Sequence, residues 1–471
     1  MQNFDRFIYD SWSFNDRKGE LSLKYSLDER IFFKETITFP VEKINTKIIK
    51  SESFKSAVDG LWIMSGISYF KAALPNQITF KDYDLHLDQK KFFEKIFLHG
   101  LGEFFYVNDI DPKGKINFQL SLTLSREELP KAERTETKTN SIARSLRLSK
   151  GLIAENFALA SSASAVAINQ IKIPFTQKHL PKNAKTLLPI GGGKDSLVSA
   201  ILLNQANINY TPWMVGETKI QHDCCTKLEK NPLVVQRKIC PNLIKINKAG
   251  ALNGHVPISA IWAFLSVVTA LLTDHTHVAL SNEASANTEN LEFKGLKINH
   301  QYSKSLEFEQ DFQNYVEKFI NSKNQSETKP VHYFSLLRNL REIDIAKIFA
   351  EHCWADFKDI FASCNRNFTI SKKNTNSVTT TKKWCNNCPK CAFVFLILAP
   401  FVERETLIQT FGQNLFINPE LTETFDELLG LSGHKPLECV GEIEECREAL
   451  LGAKKNWPEL KTWITALTKD K

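Results

Sequence analysis

Leu187-Leu188-Pro189-Ile190-Gly191-Gly192-Gly193-Lys194-Asp195-Ser196 is the stretch from which the architecture can be read. A short apolar run enters a triple-glycine turn, and the turn opens into residues 197–203, which read as a helix. Glycines let successive amides crowd together without side-chain clash, and such a nest fits phosphate oxygens. The start of the helix adds its positive end, Lys194 a mobile cation and Ser196 a hydroxyl. Asp195 would repel phosphate by itself, so a Mg²⁺ between the two is implied. The string predicts an anion-binding loop of Gly191, Gly192, Gly193, Lys194, Asp195 and Ser196, with Asp195 as a Mg²⁺ ligand. The competing reading is a glycine-rich strand–helix turn that binds nothing.

Outward from this loop, strands alternate with helices. Residues 186–190 read as a strand, 196–204 as a helix, 210–215 as a strand, 258–272 as a helix and 277–280 as a strand. This alternation predicts an α/β fold with a doubly wound parallel sheet and ligands at the carboxyl ends of its strands. The loops at Gly191, Gly216-Glu217 and Ser281–Asn287 all follow strands and are expected to share one crevice.

Before it, residues 21–27 alternate apolar and polar, as do 115–123, and 37–39 suggest another strand. Residues 54–73 and 92–98 read as aromatic-rich helices, and 125–149 as a solvated charged connector. The expected organisation is an α+β N-terminal domain over 1–178, the nucleotide-binding domain over 179–400 and a helical region over 401–471. Residues 367–383 form a polar stretch without period.

The 471 residues are 42% apolar and 24% charged, which is ordinary for a globular protein. A formal charge of +7 suits anionic small substrates and is small for a committed nucleic-acid binder. The first ten residues carry acids and aromatics rather than a basic then apolar run, so no export signal is predicted. The most apolar stretch, 256–272, reads as a buried helix and is short for a membrane span. A cytoplasmic protein is expected, with no membrane and no nucleic-acid partner.

Chemistry-bearing clusters stand out further along. Cys385-Asn386-Asn387-Cys388-Pro389-Lys390-Cys391, with Cys364 upstream, has spacing that suits four thiolates around a structural Zn²⁺. An iron–sulfur cluster and free cysteines are the rival readings, and Cys353 is the alternative to Cys364. In the small-residue loop 281–287, Glu283 is a candidate for Mg²⁺ or a ribose hydroxyl; the alternative is a solvated helix cap. Asn299-His300-Gln301-Tyr302-Ser303-Lys304 brings an imidazole, a hydroxyl and a cation together. His255 precedes the apolar helix, either near a phosphate or as a structural residue. His222-Asp223-Cys224-Cys225 is titratable, but adjacent cysteines on a strand point apart and would not flank one carbon.

The glycine loop is not a Walker A loop, which has four residues between Gly and Gly-Lys. It resembles the SGGxDS loop of the PP-loop ATP pyrophosphatases, with Gly191 in place of the first Ser. Together with Ser281-Asn282-Glu283-Ala284-Ser285, residues 299–304 and Trp384 through Cys391, it resembles the UDP-N-acetyl-α-D-muramoyl-L-alanyl-L-glutamate epimerases. That resemblance covers about 185–400. It implies an ATP-dependent isomerase of peptidoglycan precursor synthesis, acting on a UDP-muramoyl dipeptide with ATP and Mg²⁺. On it, Lys194 offsets charge at the α-phosphate and His300 is the leading base, with His255 and Glu283 behind it. Three alternatives remain open: another adenylating PP-loop enzyme making a nucleobase nitrile or an amide, a tRNA-modifying enzyme, and a nucleotide sensor without catalysis. Oligomeric state is not legible.

Overall fold

Residues 4–120, 180–323, 329–364 and 383–469 are described by the computed structural model. The charged stretch 125–149, the expected boundary at 178 and all but the last residue of 367–383 lie outside the described residues. Near the N-terminus, β1 (Arg6–Asn15), β2 (Glu20–Leu27) and β3 (Ile31–Thr38) form an antiparallel meander, with Tyr25 opposite both Tyr9 and Phe33. Leu21, Leu23, Tyr25 and Leu27 alternate onto one face of β2 and are fully buried. β4 (Gln77–Phe80) adds in parallel beside β1.

Behind this sheet runs the helix Glu52–Phe70, started by Ser51, whose hydroxyl accepts from the Phe54 amide. A Cβ at Gly60 would stand 2.4 Å from the Phe264 ring, so glycine is what lets this helix close on Ile258–Leu272. The second aromatic-rich helix is Leu87–Gly100. The expected strand at 115–123 is reduced, in its described part, to a single bridge between Phe118 and Ile78. The Phe118 amide donates to Glu94 at 3.2 Å and its carbonyl accepts from the Lys90 ammonium. Side chains of a neighbouring helix thus satisfy backbone groups that a strand partner would otherwise take.

The glycine loop follows β5 (Thr186–Pro189), and β6 (Tyr210–Val215), β7 (Leu233–Lys238) and β8 (His277–Leu280) come next in the chain. A small hairpin of β9 (Leu291–Phe293) and β10 (Leu296–Ile298) intervenes before β11 (His332–Ser335). Strands β11-β8-β5-β6-β7 lie side by side, all parallel. The chain winds one way from β5 to β7 and the other way from β8 to β11, which places the topological switch point, where such sheets take ligands, at the carboxyl ends of β5 and β8. β7 then pairs antiparallel with β3, giving one mixed sheet in the order β11-β8-β5-β6-β7-β3-β2-β1-β4. The sheet therefore runs without a break from the N-terminal strands into the parallel ones, and is mixed rather than wholly parallel.

Successive β5 side chains serve opposite layers: Leu187 joins the core beneath Ile258–Leu272, and Leu188 the core shared with the C-terminal helices. Beyond residue 400 the chain is largely helical, as its Leu and Phe spacing predicts. Helices Arg404–Phe411, Thr422–Leu429 and Ile443–Ala453 gather with Pro389–Leu398 around buried Trp457. No helix of the described residues is long and apolar enough to cross a membrane.

Candidate active site

At the end of β5 the chain turns through Gly192, whose φ of +87° and whose Cβ position, 2.5 Å from Ile220, both require glycine. Gly193 caps the helix Lys194–Gln205 and offers no side chain to its first-turn amides. A cradle with this positive end and no side-chain cap is chemically suited to an anion. Gly191 lies in the same turn, and the Ser196 hydroxyl donates to the Gly193 carbonyl at 3.1 Å. Lys194 is buried and forms ion pairs with Asp195 and with Glu342, the first residue of Glu342–His352. Burial opposes its charge, but the two carboxylates outweigh that and raise its pKa. For Asp195, burial is outweighed by Lys194, Lys390 and Lys304, which hold the carboxyl below its ordinary range.

The loop after β8 meets the helix that follows the glycine turn, with the Ser281 and Ser199 hydroxyls 2.8 Å apart. Glu283 is buried here. Burial, then the charges of Glu342 and Asp195, push its carboxyl up to about 7, although Lys304 and Lys194 pull the other way. Ser285 donates to Glu445 at 2.7 Å, which ties this loop to the C-terminal helix Ile443–Ala453. Lys435 is also buried, and its ammonium has no hydrogen-bond partner among the described residues. Burial lowers its pKa against the pull of the nearby Glu442, Glu445 and Glu283 carboxylates, and the unbonded Nζ leaves a donor open to a ligand. Lys435 is thus a candidate site residue on which the sequence alone is silent.

The structure brings His255 and His300 together with their ring centres 4.6 Å apart. Glu103, on the short helix Gly102–Val107, accepts from His300 Nδ1 and lies 3.6 Å from His255 Nδ1. Burial works against a charged His300, but Cys439 and Glu103 outweigh it and push its pKa up to about 10. His255 goes the other way: burial, followed by the charge of His300, brings it down to about 4. At neutral pH one imidazole is therefore protonated and its neighbour is not. Lys304 donates to Cys439 Sγ at 3.2 Å, and its charge acts on Glu283 and Asp195 as well. Glu103 and Cys439 had no motif to announce them; both enter through contacts distant in sequence.

Cys364, Cys385, Cys388 and Cys391 converge, their Sγ atoms all within 4.8 Å of one another. Cys388 caps the helix Pro389–Leu398 and Cys391 lies in its first turn, so the short spacing becomes one corner. The thiol set and its closeness fit a tetrahedral metal, and Cys364 rather than Cys353 is the fourth member. Cys353 instead caps Glu342–His352 and is buried, its thiol pushed up to about 12 by that burial. Cys224 and Cys225 sit on the helix Lys219–Lys227, not on a strand. Both are buried, which pushes them up to about 12 and about 11 and leaves them outside the site chemistry.

Residues 1–145 and 153–336 match the MurL N-terminal domain, and residues 360–469 match the MurL C-terminal domain. Similar proteins include a UDP-N-acetyl-α-D-muramoyl-L-alanyl-L-glutamate epimerase of Xanthomonas oryzae pv. oryzae, 31% identical over 466 residues, with 98% of this chain and 89% of the relative covered. The epimerases so described from Salinispora tropica and a Micromonospora species are each 31% identical. They cover 97% and 96% of this chain and 87% of their own lengths.

Proposed function

This chain belongs to the MurL family of UDP-N-acetyl-α-D-muramoyl-L-alanyl-L-glutamate epimerases, and from that premise we propose that it inverts the terminal glutamyl centre of UDP-MurNAc-L-Ala-L-Glu after activating its carboxylate with ATP. It is an isomerase of peptidoglycan precursor synthesis. The observation that supports the adenylating route is the meeting, in one crevice, of a phosphate-type cradle with a paired-histidine site. Lys304, charge-coupled to Asp195 and bonded to Cys439 beside His300, links the two.

The chemistry needs both halves. A free α-carboxylate makes the adjacent Cα–H hardly acidic, because removing its proton sets a second negative charge beside the first. Attack of that carboxylate on the α-phosphate expels pyrophosphate and leaves a neutral acyl carbonyl able to share the charge of an enolate. The PP-loop reading assigns Gly191, Gly192, Gly193 and Ser196 to the phosphates, with Lys194 offsetting charge at the transferring centre. Asp195 and Glu283 are the carboxylates suited to Mg²⁺, which would neutralise phosphate charge. Lys435 fits as a further anion contact. His300, oriented by Glu103, handles the Cα proton, with neutral His255 beside it. Water then cleaves the adenylate and AMP departs.

The four cysteines are suited to Zn²⁺ in a bracing role, since four thiolates leave no open position for catalysis. The deciding experiment is incubation with UDP-MurNAc-L-Ala-L-Glu, ATP and Mg²⁺ in D₂O, followed by chiral analysis of the glutamate. ATP-dependent D-glutamate carrying deuterium at Cα, with AMP and pyrophosphate released, is expected. An unchanged L-centre with no AMP would overturn the proposal.

A further inference from the structure

Cys439 lies in the segment Lys435-Pro436-Leu437-Glu438-Cys439-Val440, which carries no motif. The fold nevertheless clamps this segment against the histidine site. Asn290 donates to the Pro436 carbonyl at 2.7 Å, Gln301 to the Val440 carbonyl at 3.2 Å, and the Lys390 ammonium to the Cys439 carbonyl. Cys439 is partly buried, its sulfur accepts a hydrogen bond from Lys304 at 3.2 Å, and the His300 imidazole lies beside it. Behind His300 stands Glu103. The result is a Cys–His–Glu series, and Lys304, bonded to its sulfur and charge-coupled to Asp195, connects it to the glycine loop.

We propose that Cys439 is a catalytic thiol of the Cα proton exchange, the partner of His300 on the opposite face of the glutamyl centre. This rests on the adenylation reading above. An inverting pair must start with one vacant base and one loaded acid, and a thiolate beside an imidazolium is such a pair. The thiolate takes the L-face proton: the C–H bond breaks, an S–H bond forms, and the electron pair passes into the enolate and its acyl oxygen. His300 gives its N–H proton to the other face, forming the new C–H bond and becoming neutral. After product leaves, the S–H proton passes to the neighbouring neutral His300, restoring thiolate and imidazolium. Contact between the two in the free enzyme is then the resetting step, and the planar enolate is what parts them.

Electrostatics agree with this geometry. Burial would raise the Cys439 thiol, but Lys304, His300 and Lys390 outweigh it and bring it down to about 5. Cys224, Cys225 and Cys353, lacking cations, go in the opposite direction.

The test offers each epimer of the UDP-muramoyl dipeptide, with ATP and Mg²⁺ in D₂O, to wild type, Cys439→Ala and the volume-preserving Cys439→Ser. Wild type is expected to release AMP, invert and exchange both epimers; failure of wild type to do so removes the adenylation reading and this proposal together. In both variants AMP release should stay within about threefold while inversion falls about a hundredfold or more. Deuterium should still wash into the D-epimer through His300, without inversion, and not into the L-epimer. Inversion near the wild-type rate would overturn the proposal. So would loss of AMP release in step with inversion, or exchange into both epimers or neither. Alkylation of wild-type Cys439 by iodoacetamide gives a check independent of the variants: the modified enzyme should keep AMP release and lose inversion, and retained inversion would overturn the proposal.

Discussion

The Ala362 amide donates to the Gly192 carbonyl at 3.0 Å, which fastens the segment leading into Cys364 to the glycine turn. Two residues on, Cys364 joins the other three cysteines, so whatever holds the cysteine corner also holds the loop. With a Cβ at Gly193 reaching within 2.6 Å of the Ser363 hydroxyl, the two segments leave each other little slack.

From this follows a prediction about metal. The purified protein should carry about one Zn²⁺ per chain by elemental analysis. Chelation, or Cys388→Ser, should raise KM for ATP about tenfold and lower the melting temperature. Proton exchange on product already bound should be less affected. Metal-free protein with full ATP affinity would show that the corner does not brace the loop.

A second buried pair stitches the two halves of the sheet. Arg237 on β7 donates through Nε and Nη2 to Glu35 on β3, at 2.7 and 3.0 Å, and Tyr69 also donates to Glu35 at 2.9 Å. Removing one partner of such a pair leaves an uncompensated buried charge, costing about 3–5 kcal/mol. Glu35→Ala should therefore lose that much in denaturant unfolding. If the N-terminal strands and the parallel strands unfold as one unit, the whole transition should shift rather than split.

How much of this was legible in the sequence depends on how local each signal is. The loop 191–196, the helix Ile258–Leu272 and the strand His277–Leu280 could be read directly, because glycine geometry and apolar runs act within a few residues. Short strands such as β11 carry no period of their own. The β3–β7 seam depends on a pairing about two hundred residues apart in sequence. Cys364 could not be separated from Cys353 until the chain was folded. His255 and His300 were both legible as titratable residues, but not their closeness. Glu103, Lys435 and Cys439 were silent, since a single acid, lysine or thiol acquires meaning only from what packs against it.

Glu103 gives a prediction with a defined sign. Cys439 and Glu103 hold His300 protonated up to about pH 10, so removing the carboxylate must lower that value. Glu103→Gln should shift the alkaline limb of the pH profile for inversion toward acid by about one to two units, with AMP release little changed. The kcat/KM for inversion, measured from pH 6 to 10, checks this; an unmoved limb would detach Glu103 from His300.

Glu283 couples stability to function in opposite directions. Its carboxyl is pushed up to about 7 by burial and by Glu342 and Asp195, against an ordinary value of 4.5. A folded-state pKa above the unfolded one means the favourable contribution is complete below about pH 4.5 and lost as pH rises through 7. Wild type free of Mg²⁺ should therefore weaken across that window as an unwelcome charge develops beside Glu342 and Asp195. Glu283→Gln removes the charge, so its stability should match wild type near pH 4.5 and exceed it at pH 8. The gain at the limit is about 3 kcal/mol. The same variant should lose AMP release by about a hundredfold, because the neutral amide cannot replace a carboxylate toward Mg²⁺. Unfolding curves at the two pH values, read beside the AMP assay, test both halves: a variant more stable yet fully active would take Glu283 out of the catalytic machinery.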